Sequence, residues 1–202
     1  PYFLEIADHI SNKNKNINLI IPVAPTTSIN QYLYFQSNKN PIAKHYSSKI
    51  KKITPIKSSI FDYVIETSNN TKIHLITKNP CYEVLKNCDL AITTVGANTS
   101  ELASLNLPMI VVLPTQHLNV MNSWDGIFGI IGKISFINKF FTFIIKNWYL
   151  KNKQFFAWPN IKAKKLIIPE RIGNISPKQI ANEALFLMKN KQHLKKQKDN
   201  LL

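Results

Sequence analysis

The chain has 202 residues, of which 45% are hydrophobic and 18% charged, the composition of a globular protein long enough for one well-buried domain. Its two cysteines, Cys81 and Cys88, exclude a disulfide framework and lack the partners of a metal site, so we interpret them as buried thiols in a reducing compartment. No secretory signal peptide is visible.

The net charge of +15 allows two interpretations. An excess of positive charge favours anionic partners such as nucleic acid or a membrane surface. However, Arg171 is the only arginine among the 26 basic residues, and nucleic-acid recognition favours the arginine fork. The abundance of lysine, asparagine and isoleucine is typical of AT-rich codons, as in a plastid or a streamlined genome. We therefore attribute most of the charge to codon usage and predict no specific nucleic-acid partner.

The first predicted elements are a helix and a buried strand. Residues 1–11 place their apolar side chains on one side, which is the pattern of a helix that packs on a core. The near-continuous apolar run 17–23 is typical of a strand that is covered on both faces. Ser28 then stands where it can cap a second helix.

A predicted hairpin follows a stretch of weak periodicity. Residues 37–58 are rich in lysine and asparagine and predict a variable surface segment. Residues 61–67 and 72–77 are strand-like runs on either side of Asn69 and Asn70, which indicates a hairpin turn. These two runs are therefore expected to pair with each other.

A tight corner follows the next predicted strand, residues 90–94. Gly96 ends this strand because glycine takes backbone angles that other residues resist, and a helix then begins with Asn98 or Thr99 as its cap. A glycine loop that opens a helix leaves N–H groups that hold an anion, most often a phosphate. Glu101, in the first turn, suits the helix dipole and could bind sugar hydroxyls. The alternative is an ordinary βα turn, since one glycine is weaker than a glycine-rich fingerprint.

The remaining elements predict a parallel sheet. Residues 108–114 form another buried strand, and residues 178–188 an amphipathic helix. Alternating strands and helices without a repeat indicate an α/β fold with a parallel sheet flanked by helices. Ligands of such a sheet lie beyond the carboxyl ends of its strands, where Gly96 falls. Gln116 follows the second of these strands and is either a base or ribose contact or part of a solvated loop.

An aromatic-rich and isoleucine-rich segment covers residues 126–150. Three lysines interrupt it, which argues against a membrane-spanning helix because such a helix needs about 20 apolar residues in a row. One interpretation is an interfacial helix with its apolar face in the lipid. The alternative is a core helix or a dimer contact. In the first interpretation, six side chains contact the membrane: Phe140, Phe141, Ile144, Trp148, Lys139 and Lys146.

Two ordered motifs resemble a known family. Residues 96–103, with Leu-Pro-Met at 107–109, resemble the donor-site segment of nucleotide-sugar transferases of the GT-B type. Residues 158–170 read Trp-Pro-Asn-Ile-Lys-Ala-Lys-Lys-Leu-Ile-Ile-Pro-Glu and resemble the Pro-Asn-x-x-Ala-Gly-Arg/Lys-x-x-x-Pro-Glu signature of lipid-A-disaccharide synthase. The sequence between the motifs is similar to the cyanobacterial and plastid branch of that family. Lys164 stands where the family usually has glycine.

The resemblance covers roughly residues 1–25 and 80–188, and it implies a Rossmann-like C-terminal domain of a GT-B glycosyltransferase. Residues 1–188 would form this donor domain, and 189–202 a charged tail. The start of the chain resembles the helix that follows the family's Gly-Ser-Arg phosphate motif, so the acceptor domain and the catalytic base are expected on a preceding half. The donor-binding residues expected here are Gly96, Asn98, Thr99, Glu101, Gln116, Asn160 and Glu170.

Two of these residues are assigned to donor binding by the resemblance alone. It places Asn160 in the donor pocket, whereas the sequence by itself equally allows a helix cap or a turn asparagine. It places Glu170 on the donor side, whereas the sequence also allows a surface ion pair with a lysine.

The resemblance implies a hexosyltransferase that moves an acylated glucosamine from a UDP donor to an acylated sugar acceptor and releases UDP. Transferases of this kind invert the anomeric carbon and need neither metal nor cofactor, because a helix dipole and hydrogen bonds stabilise the departing UDP. The implied location is a membrane surface on the cytoplasmic or stromal side. The alternatives are another GT-B enzyme, such as a UDP-sugar epimerase or a glycolipid glycosyltransferase, and a non-catalytic basic protein that docks on membranes.

Overall fold

The computed structural model describes the following residues: 1–35, Ser37, 40–116 and 155–202. They form two compact units. The first comprises Pro1–Cys88 and Pro177–Lys189, and the second comprises Asp89–Ser176 and Asn190–Leu202. The α/β class predicted from the sequence is confirmed, because both units contain parallel strands in sheets flanked by helices, as in a Rossmann-like domain. The assignment of one donor domain to residues 1–188 stays a prediction.

The interfacial segment predicted over residues 126–150 lies outside the described residues. The same holds for its six proposed membrane contacts: Phe140, Phe141, Ile144, Trp148, Lys139 and Lys146. None of the helices in the described ranges combines the length and the apolar character needed to cross a bilayer.

The elements of the first unit alternate between helices and strands. They are α1 (Tyr2–Lys13), β1 (Ile20–Pro22), α2 (Ile29–Phe35), a 3-10 helix (Pro41–His45), β2 (Ile50–Pro55), β3 (Tyr63–Thr67), β4 (Lys72–Ile76), α3 (Tyr82–Leu85) and α6 (Pro177–Lys189). Ser28 precedes α2, and its N–H donates to the Gln31 Oε1 (2.6 Å), which satisfies one donor at the start of the helix. Helix α1 packs against α6.

The sheet of the first unit has the strand order β1-β4-β3-β2. Strand β1 runs parallel to β4, whereas β3 is antiparallel to both of its neighbours. The predicted hairpin is confirmed as β3 and β4, with Ile65 opposite Ile73 and Asn70 in the left-handed region of the turn (φ 62°). The core beside this sheet contains Leu4, Ala7, Val23, Ile65, Ile73 and Leu75.

Strand β2 lies inside the stretch that was predicted to be a variable surface segment. It is an edge strand that pairs only with β3 and carries a register shift between Ile50 and Lys52. Of its six residues, only Ile50 and Ile53 are half-buried, and the other four are exposed. Lys51 and Lys52 both form ion pairs with Glu66 on β3. The surface position agrees with the prediction, but the strand was missed, because an edge strand with a shifted register does not show the alternation expected of a half-buried strand.

The second unit is built on a purely parallel sheet. Its elements are β5 (Ala91–Thr94), α4 (Asn98–Ser104), β6 (Met109–Pro114), α5 (Trp158–Ala163), β7 (Glu170–Gly173) and α7 (Lys191–Leu201). The strand order is β5-β6-β7, with both pairings parallel. Every residue of the central strand β6 is buried, as predicted for a parallel strand covered on both faces.

Most of the charged tail predicted over 189–202 is helical, as α7. Helix α7 turns its polar Gln197 inward (8% exposed), where the Oε1 atom accepts the N–H of Met109 at 3.1 Å. Met109 begins the central strand, so α7 covers the amino edge of the sheet and leaves the carboxyl edge, where ligands of parallel sheets bind, to the βα loops.

Candidate functional site

Two of the predicted donor residues follow strands that end at the same edge of the parallel sheet. Gly96 follows β5 and Gln116 follows β6, and the parallel register pairs Thr94 with Val112 near the ends of these strands. The carboxyl edge of an open parallel sheet is where α/β proteins bind their ligands. We therefore take this edge of the second unit as the candidate site.

Gly96 adopts a backbone conformation that its position requires. Its φ of +151° lies in the range that residues with a side chain rarely adopt, and a Cβ atom there would stand 2.9 Å from the Asn98 Oδ1. The Asn98 Nδ2 donates to the Thr93 Oγ1, which fastens the corner to the end of β5. The corner is therefore built around the absence of a side chain at residue 96.

Neither Asn98 nor Thr99 caps the helix, in contrast to the prediction. The cap position is Ala97, and no side chain caps α4 there; Asn98 and Thr99 are already helical. The Thr99 N–H donates to the Gly96 carbonyl (3.1 Å). The N–H groups of Ala97 and Asn98 have no acceptor among the residues that the structure describes.

Thr99 joins the two motifs that were singled out in the sequence. Its buried hydroxyl donates to the Gly96 carbonyl (2.8 Å) and accepts the backbone N–H of Trp158 (3.2 Å). Trp158 is the first residue of α5, so the start of the second motif contacts the glycine corner of the first. Residues 59 positions apart in the chain are thereby brought to one place.

Asn160 is fully buried and its side chain is saturated with hydrogen bonds. Its Nδ2 donates to the Glu170 Oε1 (2.7 Å) and to the Ile168 carbonyl (2.9 Å), and its Oδ1 accepts the N–H groups of Ile167 (2.8 Å) and Ile168 (3.0 Å). An amide side chain has two N–H donors and an oxygen with two lone pairs, and all four are used here. Asn160 therefore acts on the site through the shape of the loop that it closes.

Glu170 occupies the N-terminus of α5. It begins β7, is 6% exposed, and accepts the N–H groups of Phe156 (3.0 Å) and Ala157 (2.9 Å) in addition to the Asn160 amide. It is therefore not the surface residue paired with a lysine that the sequence allowed. A carboxylate at this end suits the helix dipole and takes the place that an external anion would otherwise occupy.

Lys164 ends α5 in a left-handed conformation, with φ 52° and ψ 25°. Glycine is the favoured residue for this position of a helix end, because a Cβ atom makes the left-handed conformation costly. The geometry thus explains in physical terms why glycine at this position would suit the motif. The lysine adopts the same turn, which Asn160 closes by binding the backbone of Ile167 and Ile168.

The Gln116 side chain forms hydrogen bonds with the backbone of the loop that follows β7. Its Nε2 donates to the Ile175 carbonyl (3.0 Å), and its Oε1 accepts the Ile175 N–H (3.3 Å). These bonds join the loops that follow β6 and β7. Sequence reasoning missed Ile175 and Thr93, since an isoleucine that uses only its backbone and a strand threonine give no motif.

Glu101 differs from the other predicted donor residues because it is exposed. It lies in the first turn of α4, one turn beyond Ala97, and its backbone N–H donates to the Ala97 carbonyl (3.2 Å). Its side chain is therefore accessible to solvent one turn from the Gly96 corner. No group of histidine, cysteine or acidic side chains in the described residues could hold a metal ion.

Comparison with known proteins gives one significant relative among curated proteins. The chain is 30% identical to a lipid-A-disaccharide synthase from Sulfurihydrogenibium sp. (strain YO3AOP1) over an alignment of 162 residues, and the match covers 74% of this chain and 36% of the relative. The chain thus spans about a third of the relative's length. No family model matches, and the solved structures give no significant match. The chain is a distant homologue of this synthase, and the class of protein that this similarity suggests is a glycosyltransferase.

Proposed function

We propose that this chain is the donor-binding part of a glycosyltransferase and holds a UDP-sugar at the carboxyl edge of the β5-β6-β7 sheet. The observation that carries the proposal is the Thr99 hydroxyl, which joins the glycine corner to the start of α5. The two contacting motifs are those that resemble a sugar-nucleotide transferase, and the similarity to the synthase supports the same class.

The diphosphate would lie against the Gly96 corner. The N–H groups of Ala97 and Asn98 point to no acceptor in the described residues, and two such donors suit phosphate oxygens. The missing Cβ atom at Gly96 lets a ligand approach the backbone closely. The exposed Glu101 carboxylate would accept hydrogen bonds from ribose or sugar hydroxyls.

Asn160, Glu170 and Gln116 are positioning residues in this proposal. Their polar atoms bind the backbone just before and just after α5 and the backbone of the loop after β7, so they hold the walls of the site instead of touching the donor. Because the walls are fixed in advance, the hydrogen-bonding groups of the site need no reorganisation when charge develops on the leaving group.

The proposed reaction transfers an acylated glucosamine to the hydroxyl of a glycolipid. The bond between the anomeric carbon and the UDP oxygen breaks, a glycosidic bond forms on the opposite face with inversion, and UDP leaves with the electron pair. A base on another part of a longer protein takes the hydroxyl proton. The N–H groups at the corner would stabilise the charge on UDP without a metal.

Titration calorimetry of the 202-residue chain with UDP tests this proposal. We expect one UDP per chain, and Glu101→Gln should weaken binding about tenfold, because a hydrogen bond to a charged group contributes roughly 1.5 kcal/mol. Glu83→Gln is the matched control, since the Glu83 side chain is 89% exposed and belongs to the other unit. A folded chain that gives no heat with UDP would overturn the proposal, and equal affinities of the two variants would exclude Glu101 as a ribose contact.

A further inference from the structure

The start of α5 exposes a tryptophan beside the Gly96 corner. The Trp158 side chain is 55% exposed, whereas Asn160, two residues later, is fully buried. The Trp158 N–H donates to the Thr99 Oγ1 (3.2 Å), and the same hydroxyl donates to the Gly96 carbonyl (2.8 Å). A single hydroxyl group therefore separates the backbone of Trp158 from the corner at which the diphosphate is proposed to lie.

The backbone N–H groups at this helix start are already used by the protein. Glu170 accepts those of Phe156 and Ala157, Thr99 accepts that of Trp158, and a proline such as Pro159 carries none. The side chains of a helix lean toward its N-terminus, so the indole leans toward the end of α5 that contacts Thr99. A ligand beside this end therefore meets the indole and not a row of backbone donors.

The position of the indole is fixed from inside the unit. Asn160 binds Glu170 and the backbone of Ile167 and Ile168, so α5 cannot rotate without leaving buried polar groups unpaired at a high energetic cost. A tryptophan side chain is large and flat and has only two rotatable bonds, so a contact costs it little conformational entropy. Trp158 is thus a pre-organised aromatic surface at the edge of the candidate site.

We propose that the Trp158 indole stacks against the hexopyranose ring of the nucleotide-sugar donor. This inference rests on the proposed function, in which the diphosphate lies against the Gly96 corner. A hexopyranose has C–H groups on the faces of its ring and hydroxyls at its rim. The C–H groups carry partial positive charge and suit the negative face of an indole. Because the hexose is bonded directly to the diphosphate, its ring lies within reach of a side chain beside the corner.

The uracil base is a poorer partner for this side chain. Recognition of a base requires hydrogen-bonding groups for its edge in addition to an aromatic side chain for its face. Among the predicted donor residues, Asn160 and Gln116 carry amides that suit a base edge, but these amides bind Glu170 and the backbone of Ile175. The C–H face of a hexose needs only an apolar surface, and Trp158 supplies one.

Titration calorimetry of the full chain with UDP and with UDP-N-acetylglucosamine tests the contact. Trp158→Ser should weaken the binding of UDP-N-acetylglucosamine about tenfold and change the UDP affinity by less than about twofold, because only the first ligand carries a hexose. Trp158→Phe keeps an aromatic face and should retain most of the affinity. Both substitutions keep the backbone N–H that binds Thr99.

A matched control and a second readout accompany this titration. Ile161 lies three residues after Trp158 on the same face of α5 and is 42% exposed, so Ile161→Ser should change neither affinity. Tryptophan fluorescence should change when UDP-N-acetylglucosamine binds but not when UDP binds. Trp158→Phe should abolish this change although Trp124 and Trp148 remain, and it preserves a test if the thermal transition shows that Trp158→Ser does not fold.

Failure of the stacking contact differs from failure of the proposed function. If the folded parent chain binds neither ligand, the proposed function fails and the contact fails with it. If the parent chain binds both ligands and Trp158→Ser weakens neither, the donor is held without the indole and only the stacking contact is overturned. Equal losses for the two ligands would also overturn it, because Trp158 would then act on the nucleotide. A fluorescence change that persists in Trp158→Phe has the same consequence.

Discussion

Among the residues that the structure describes, each unit buries one carboxylate, and the two carboxylates accept hydrogen bonds from different kinds of donor. In the first unit, Asp8 is 2% exposed and accepts the Thr67 hydroxyl (2.6 Å) and the Asn69 amide (2.7 Å). In the second unit, Glu170 accepts two backbone N–H groups and the Asn160 amide. Asp8 thus fastens α1 to a hairpin turn with side chains, whereas Glu170 shapes the backbone at a helix start.

The difference separates a structural role from a role in the candidate site. The Asp8 partners are the last residue of β3 and a residue of the β3–β4 turn, far in the chain from any predicted donor residue. The backbone that Glu170 binds leads directly into Trp158, whose N–H reaches Thr99 beside the Gly96 corner. Removal of either carboxylate should destabilise the fold, but only the loss of Glu170 should also disturb a ligand at the corner.

The largest effect is expected for Glu170→Ala. The substitution leaves three N–H donors without this acceptor, two of them buried and that of Phe156 half-buried, and the free energy of unfolding should fall by about 4 kcal/mol. Urea denaturation measures this change. Glu101→Ala, an exposed glutamate in the same unit, is the control and should stay within about 0.5 kcal/mol of the parent chain. If Glu170→Ala lowers the free energy of unfolding by less than about 1 kcal/mol, the hydrogen bonds of Glu170 do not shape this part of the fold, which contradicts its comparison with Asp8.

A smaller loss is expected for Asp8→Ala. Two side-chain donors lose their acceptor, and we expect about 2 kcal/mol of destabilisation with an unchanged UDP affinity for the folded chain. Denaturation and calorimetry on the same preparation give both quantities. Asp199→Ala, an exposed aspartate on α7, is the control for the loss of one negative charge. A weaker UDP affinity in Asp8→Ala would contradict the division of roles between the two carboxylates.

The sequence predicted the elements that depend on neighbouring residues. The hairpin at Asn69-Asn70 follows from turn chemistry, and the helix predicted over 178–188 follows from its amphipathic pattern and is Pro177–Lys189 in the structure. The resemblance placed Asn160 and Glu170 in one motif but could not show that they bind each other. Pairs such as Gln116 with Ile175, 59 residues apart, depend on which loops the fold brings together, and no local pattern encodes that.

The left-handed turn at Lys164 allows a test of the candidate site by a substitution that should stabilise the fold instead of destabilising it. Lys164→Gly should raise the free energy of unfolding by about 1 kcal/mol, because glycine adopts the left-handed conformation without a steric penalty. Lys162→Gly is the matched control two residues earlier, inside α5, and should lower stability by about 1 kcal/mol. Thermal unfolding of both variants measures the difference. Equal destabilisation by the two glycines would mean that the turn is not the feature that favours glycine.

The smallest effect is expected for the removal of the Asp62 carboxylate. It accepts two hydrogen bonds, as Asp8 does, but it lies at the surface. It accepts the Thr77 N–H (2.7 Å) and hydroxyl (2.8 Å), and these hydrogen bonds lower the pKa of Asp62 below its ordinary value. A folded-state pKa below the unfolded one stabilises the protein above the unfolded pKa, near 4, and this contribution disappears as the pH falls through the folded value.

The difference in unfolding free energy between the parent chain and Asp62→Ala should therefore be constant from neutral pH to about pH 5 and shrink below about pH 4. Denaturant titrations at successive pH values measure it. Because water competes for a surface carboxylate, the difference should stay well below that of Asp8→Ala, even though the donors are as many and as short. If Asp62→Ala costs as much as Asp8→Ala, then burial is not what makes the two interior carboxylates important, and the donor count alone would account for both.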